Sequence, residues 1–211
     1  MNITPESIKG NPENSHLLTL HYNEMIPFVI EHLKKRTLPV FIALLVLICM
    51  IIPLIVIRVN IAGTYPLSNI VLHSLTGLVI LPLLLILPHE FLHILPYRLS
   101  GARDIRIGAN WKEAYFYVTA HNHPVQRGWF MVIALTPAIT ITAIIALAMV
   151  YVTPLWQWSL ICALFAHSTM CAGDLALLNY FYINRHKNIV TWDDVGKGEA
   201  YFYEISDTTM I

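Results

Sequence analysis

Residues 81–93 read LPLLLILPHEFLH, an apolar run that leads directly into two histidines and a glutamate. The apolar character begins near Ile70, so the run is long enough for a helix that crosses a hydrocarbon core, which takes roughly 20 residues. Ionisable side chains are costly at membrane depth and usually mark a functional interior. The stretch therefore predicts a membrane helix whose end carries a functional group made of His89, Glu90 and His93.

The composition of the whole chain also indicates a membrane protein. Of the 211 residues, 56% are hydrophobic and 12% are charged, whereas a soluble domain carries about 25% charged residues. The stretches that are each apolar and long enough to cross a membrane are residues 38–57, 70–87, 129–152 and 156–182. We predict an all-α polytopic membrane protein with about four transmembrane helices. Its membrane core occupies residues 38–185, between an N-terminal segment 1–37 and a short tail 186–211.

The basic residues predict the orientation, because Lys and Arg are retained in loops on the cytoplasmic side. Of the 13 Lys and Arg residues, 12 precede the first span, follow the fourth, or lie between the second and third. Only Arg58 falls in a loop on the opposite side. The asymmetry predicts that both termini and the long central loop, including Lys112, are cytoplasmic. We expect an integral protein of a bacterial cytoplasmic membrane, surrounded by the lipid bilayer.

Two kinds of partner or site are disfavoured. The net charge is zero and no basic face is interleaved with aromatic residues, so nucleic acid is not an expected partner. The three cysteines, Cys49, Cys162 and Cys171, fall inside apolar spans without a CxxC spacing. This pattern predicts neither a disulfide framework nor a cysteine zinc site.

The segments outside the spans contain several candidate elements. Residues 16–33 have apolar side chains in helix-like groups, which favours an interfacial helix, with a partly ordered tail as the alternative. In the central loop, Ile105 and Ile107 alternate with other residues, and residues 114–118 are rich in strand formers. We predict a β-hairpin there, at the membrane edge. The tail contains further strand candidates at residues 188–192 and 201–205.

The sequence His89-Glu90-Phe91-Leu92-His93 indicates a Zn²⁺ site, because helix residues four apart project from the same face and can hold one ion. Glu90 can reach a water on that ion and take its proton during attack on a peptide carbonyl. One alternative is that these groups only form hydrogen bonds between helices. Others are a noncatalytic zinc site, or a metal transporter or sensor, which the ten histidines suggest. His121 and His123 form a further, weaker candidate metal site.

Several motifs together resemble a known family. The membrane helix with His89-Glu90-Phe91-Leu92-His93, the loop with strands, and a last span carrying Cys171-Ala172-Gly173-Asp174 are similar to a domain-of-unknown-function family described as zincin peptidases. The tail sequence Val190-Thr191-Trp192-Asp193-Asp194 and Gly198 are also similar to that family. The site-2 proteases, which are intramembrane metalloproteases, are more distantly similar. Their last motif usually reads Asp-Gly, whereas Gly173 precedes Asp174 here.

The resemblance implies that His89, His93 and Asp174 are the metal ligands and that Glu90 is the catalytic acid and base. Membrane depth also favours Asp174: His89 lies nine residues before Arg98, and Asp174 lies eleven before Arg185. The rival, His167, lies about 10 Å further toward the outside in a straight helix. It is instead a candidate for a supporting or oxyanion-stabilising role. His73 remains a further alternative for the third ligand.

These observations predict a membrane-embedded zinc metalloprotease of the HExxH type that hydrolyses peptide bonds in or near the membrane. We expect the metal to lie near the cytoplasmic face, because His89 follows about 19 residues of a span that runs from outside to inside. The expected partner is a membrane protein or peptide, bound in extended form because a helical peptide bond hides its carbonyl. The residues do not indicate an oligomeric state.

Overall fold

A computed structural model describes residues 4–111 and 115–206, and these form a mostly helical protein with small β-sheets. The helices are α1 (Pro5–Gly10), α2 (Met25–Leu33), α3 (Leu38–Ala62), α4 (Leu67–Leu75), α5 (Leu81–Leu92), α6 (Ile94–Leu99), α7 (Arg127–Tyr151), α8 (Pro154–Met170) and α9 (Ala172–Ile183). The strands are β1 (Ser15–His21), β2 (Ile105–Asn110), β3 (Tyr115–Ala120), β4 (Val125–Gln126), β5 (Ile189–Asp194) and β6 (Glu199–Glu204). Lys112 and Ala114 lie outside the described residues.

Within the described residues, three helical segments are long and apolar enough to cross a membrane, in agreement with the predicted membrane protein. They are α3, the continuous run Leu67–Leu99 through α4, α5 and α6, and α7. The fourth predicted span, residues 156–182, is α8 followed by α9, which are bent by 45° relative to each other. This pair counts as a span only if the two helices cross the membrane together.

Close packing between the second segment and α8 depends on Gly77, which lies in a π-helical turn, Thr76–Ile80, between α4 and α5. A Cβ at this position would lie 2.7 Å from Cys162 Cβ and 2.9 Å from Ser159 Cα. Small residues allow such close approach of membrane helices. Ser159 is fully buried in this contact, and its hydroxyl donates to the His73 carbonyl over 3.0 Å.

The strands form two sheets. One has the order β1-β6-β5-β4 and joins the N-terminal segment to the tail, while β2 and β3 form the hairpin of the central loop. In the hairpin, Gly108 pairs with Tyr117, and a side chain at Gly108 would overlap the Tyr117 ring. Strands therefore occur in the central loop and tail where the sequence predicted them. The interfacial helix predicted for residues 16–33 is wrong in its first part, because β1 pairs with β6 there. Helical structure begins with a 3-10 turn, Tyr22–Glu24, and continues as α2.

The four-stranded sheet packs against the helices and thereby fixes the walls of the site described below. Phe130 of α7 stacks on Phe181 of α9 with ring centroids 4.6 Å apart, and Phe181 lies 6.0 Å from Phe202 of β6. Helix α2 is attached to α9 at its far end, where Asn179 Nδ2 donates to the His32 carbonyl over 2.7 Å. Asn179 is fully buried, so this hydrogen bond holds α2 beside the membrane helices.

Candidate metal centre

The motif histidines lie at the C-terminal end of α5, where the helical spacing places them on one face. His89 and His93 are each 6% exposed, and their ring centroids are 5.2 Å apart. His93 forms the junction between α5 and α6. The two imidazoles therefore face the same interior space.

The carboxylate of Asp174, in the first turn of α9, lies between the two imidazoles. Its Oδ2 is 3.3 Å from His89 Nε2, and its Oδ1 is 3.7 Å from His93 Nε2. Donor atoms about 2.0–2.1 Å from a tetrahedral zinc ion are about 3.3–3.4 Å apart, so this separation matches a shared ion. The sequence-predicted residues His89, His93 and Asp174 are thus brought together.

The other ring nitrogen of each histidine is occupied, which fixes the ring orientations. His93 Nδ1 donates to the Ile133 carbonyl of α7 over 3.0 Å, so its Nε2 carries the free lone pair. His89 Nδ1 lies 3.1 Å from Nε2 of His167, which belongs to α8 and is 1% exposed. Metal-binding histidines commonly use their second nitrogen in this way, because the outer hydrogen bond sets the tautomer.

Glu90 lines the same cavity, which has a volume of about 610 Å³. Its carboxyl group lies beside the backbone of Val118 in β3. One wall of the cavity is the face of β3 and another is α2, through Met25, Ile26, Val29 and Ile30. The cavity is therefore lined both by Glu90, the acidic residue of the HExxH motif, and by β3.

Of the described residues, one further group of side chains could hold a metal ion: His89, His167 and Cys171. Cys171 Sγ is 4.0 Å from His167 Nε2, but His89 would have to contribute Nδ1 instead of Nε2. This group was not foreseen, because the sequence argument set Cys171 aside for lack of a CxxC spacing, although Cys171 lies four residues after His167. It competes with the first group for His89.

The remaining candidate histidines lie apart from this centre. His121 Nδ1 accepts from the Val195 amide over 3.2 Å, and His123 Nε2 is 3.1 Å from Ser100 Oγ. These two side chains face different partners and do not converge on one ion. His73, on α4, pairs through Nδ1 with Ser159 Oγ over 2.8 Å and does not belong to either group of possible metal ligands among the described residues.

Sequence reasoning gave no role to several polar residues that line the cavity, among them Tyr22, Tyr97, Thr119 and Asp193. The position of Tyr97 could have been predicted, because it lies one helical turn beyond His93 and therefore on the same side of the helix. Asp193 was noticed only as part of a similar tail motif. Burial raises the pKa of the Asp193 carboxyl even though Thr119 and Tyr22 donate hydrogen bonds to it.

Comparison with known proteins gives one finding. The family DUF3267, described as "Putative zincin peptidase", matches residues 82–189, which is just over half of the chain. Comparisons with curated proteins and with solved structures give no significant match. The matched region contains the HExxH motif, both central strands, and Asp174. The chain therefore belongs to the DUF3267 family of putative zincin peptidases.

Proposed function

We propose that the protein is a membrane-embedded zinc metalloendopeptidase, in which His89, His93 and Asp174 hold Zn²⁺ and Glu90 is the general base. The observation that carries the proposal is the direction of the donor atoms. Both imidazole Nε2 atoms face the Asp174 carboxylate, while each Nδ1 is occupied by another group. An ion pair alone does not require two histidines fixed in this way.

The donor set fits zinc chemically. Two imidazoles and a carboxylate leave a fourth position open, which is typical of catalytic rather than structural zinc sites. With neutral histidines, the charges of Zn²⁺, Asp174 and ionised Glu90 sum to zero. This balance reduces the cost of keeping charged groups in a low-dielectric environment.

When bound, zinc supplies Lewis acidity that lowers the pKa of water to about 7. Glu90 takes the proton of the attacking water and later passes it to the leaving nitrogen of the peptide bond. The two histidines stay in place during this transfer, because the Ile133 carbonyl and His167 hold their rings. His167 acts here as a supporting residue for His89.

The substrate that best suits the cavity is an extended, apolar segment of a membrane protein. Among the described residues β3 is paired in a sheet with β2 alone, and its contacts with β5 lie at its C-terminal end, at Thr119 and the His121–Asp193 bridge just beyond it. The rest of its second edge has no strand partner. An extended peptide can add to such an edge, and Val118 would align it with Glu90. The cavity also reaches Leu83, which is 62% exposed, and Ile30, which is 48% exposed, so its outer part is apolar.

Two other functions are separated from this one by a single experiment. A noncatalytic zinc protein would bind zinc without needing Glu90, and a metal transporter would move zinc without cleaving anything. The wild type and Glu90→Gln are each co-expressed with a library of tagged single-span membrane proteins, and zinc content is measured on both. Glu31→Gln is the control, because Glu31 is an exposed glutamate paired with Lys35.

We expect uncleaved substrate to accumulate with Glu90→Gln only, while all three proteins retain zinc. Equal substrate patterns in wild type and Glu90→Gln would contradict a protease.

The orientation with both termini in the cytoplasm stays a prediction of the charge pattern. An impermeant thiol reagent applied to intact cells should label a cysteine at Asn60 and not one at Gln126.

A further inference from the structure

Asp193, at the end of β5, connects three separate parts of the chain. Its Oδ1 accepts a hydrogen bond from the Tyr22 hydroxyl over 2.9 Å, and its Oδ2 accepts one from the Thr119 hydroxyl. All three residues line the cavity that contains Glu90. Asp193 is remote in sequence from the HExxH motif, and the hydrolytic mechanism above does not use it.

Tyr22, which leads into α2, is held on several sides. Its amide donates to the Gly198 carbonyl over 2.9 Å, and its carbonyl accepts from the Tyr115 hydroxyl over 2.8 Å. Its ring packs edge to face on Tyr117 with centroids 5.0 Å apart. The tail sequence around Asp193 and Gly198 therefore fixes the start of α2, which forms one wall of the cavity.

Thr119 makes the corresponding connection to the other wall. It follows Val118 in β3, whose backbone lies beside the Glu90 carboxyl group. The phenol of Tyr97, one helical turn beyond His93, lies beside the Thr119 hydroxyl. A chain of polar groups thus runs from the metal-motif helix through β3 to Asp193, and from there to Tyr22.

We propose that Asp193 is a positioning residue of the hydrolytic site, which holds β3 and the start of α2 in fixed places relative to Glu90. This inference rests on the proposed protease function. Placement of a substrate carbonyl within a fraction of an ångström strongly affects rate, and a 1 Å error can cost about a hundredfold. Asp193 does not contact His89, His93 or Asp174, so its loss should leave metal binding unchanged.

The test compares Asp193→Ala with Asp194→Ala. The neighbouring Asp194 pairs with Lys197 in the turn after β5, at 3.7 Å, and does not line the cavity. We expect Asp193→Ala to lower kcat/KM by about tenfold to a hundredfold while zinc stays at the wild-type level. Asp194→Ala should stay within about twofold of wild type, because the contacts of the Asp194 carboxylate are with Lys197 in the turn and not with the walls of the cavity. Equal activity of the two variants would overturn the proposal.

A second set of variants keeps the test decisive if Asp193→Ala does not fold. Thr119→Ser retains the hydroxyl that donates to Asp193, whereas Thr119→Val removes it at nearly constant volume. We expect the serine variant to restore most of the activity that valine loses. If Asp193→Ala folds, the double variant Asp193→Ala/Thr119→Val should lose little more activity than the less active single variant, because the two groups act through one contact. Equal loss in serine and valine variants, or fully multiplicative losses, would contradict the network.

Amide hydrogen exchange separates failure of this proposal from failure of the protease proposal. In Asp193→Ala or Thr119→Val, exchange should rise at residues 115–120 and 22–30 but not at residues 82–93. This outcome would support the positioning network even if the wild type cleaved no substrate. Unchanged exchange at both walls would overturn the network even if the wild type were an active protease.

Discussion

Removal of the His167 imidazole tests how the metal centre is supported. In His167→Ala the hydrogen bond to His89 Nδ1, 3.1 Å long and fully buried, is lost. The tautomer of His89 that directs the Nε2 lone pair toward Asp174 is then no longer fixed by a hydrogen bond at Nδ1. Loss of such an outer partner typically lowers metal affinity 10- to 100-fold, which is about 1.4–2.8 kcal/mol. We expect an effect of this size, with one zinc per chain still bound when zinc is in excess.

The assay is competition for zinc with a chelator of known affinity, applied to purified wild type and variants in the same detergent. His167→Gln keeps a polar group near His89 and should bind zinc more tightly than His167→Ala. Asp174→Ala removes a proposed direct ligand and should abolish stoichiometric binding. If His167→Ala loses zinc completely while Asp174→Ala retains it, His167 is a ligand and the assignment of the centre is wrong.

Three further outcomes are expected. Gly77→Ala should lower the free energy of unfolding by about 1–3 kcal/mol, because the new methyl group overlaps Ser159 and Cys162. Gly128→Ala is the control and should leave the free energy of unfolding unchanged, because Gly128 has open space around it. Burial lowers the pKa of His123, so its contribution to stability is present above a pH of about 6.5 and is lost as pH falls through its folded pKa. His123→Gln should therefore reduce the loss of stability on acidification, measured by denaturant titration at pH 5 and 8. Tyr115→Pro should reduce cleavage without loss of zinc, whereas Tyr115→Phe should have a smaller effect. Equal turnover by the wild type and both variants would show that the β3 edge has no part in the mechanism.

Local sequence patterns were sufficient for the membrane helices and for the strands of the central loop. A helix across a bilayer must be apolar over roughly 20 residues, so its position is visible in the composition alone. The strand formers around Tyr115 and Tyr117 likewise predict β3 locally. The HExxH spacing predicted that the His89 and His93 side chains face the same space, because residues four apart lie on one face of a helix.

Contacts between distant segments could not be read in this way. Strand β1 pairs with β6, about 180 residues later, and nothing in residues 16–21 alone distinguishes such a strand from an amphipathic helix. The depth estimate for His167 assumed a straight helix through residues 156–182. The bend of 45° between α8 and α9 allows both His167 and Asp174 to reach His89. The cavity-lining role of Asp193 depends on the same kind of long-range packing.

Zinc K-edge X-ray absorption on the purified protein tests the central assignment most directly, because it identifies the donor atoms without requiring a substrate. If His89, His93 and Asp174 hold the ion, the first shell contains two imidazole nitrogens and oxygen donors at about 2.0–2.2 Å, with no sulfur. A sulfur donor at about 2.3 Å would instead indicate the group that includes His167 and Cys171. That result, or purified protein that binds no zinc, would contradict the proposed centre.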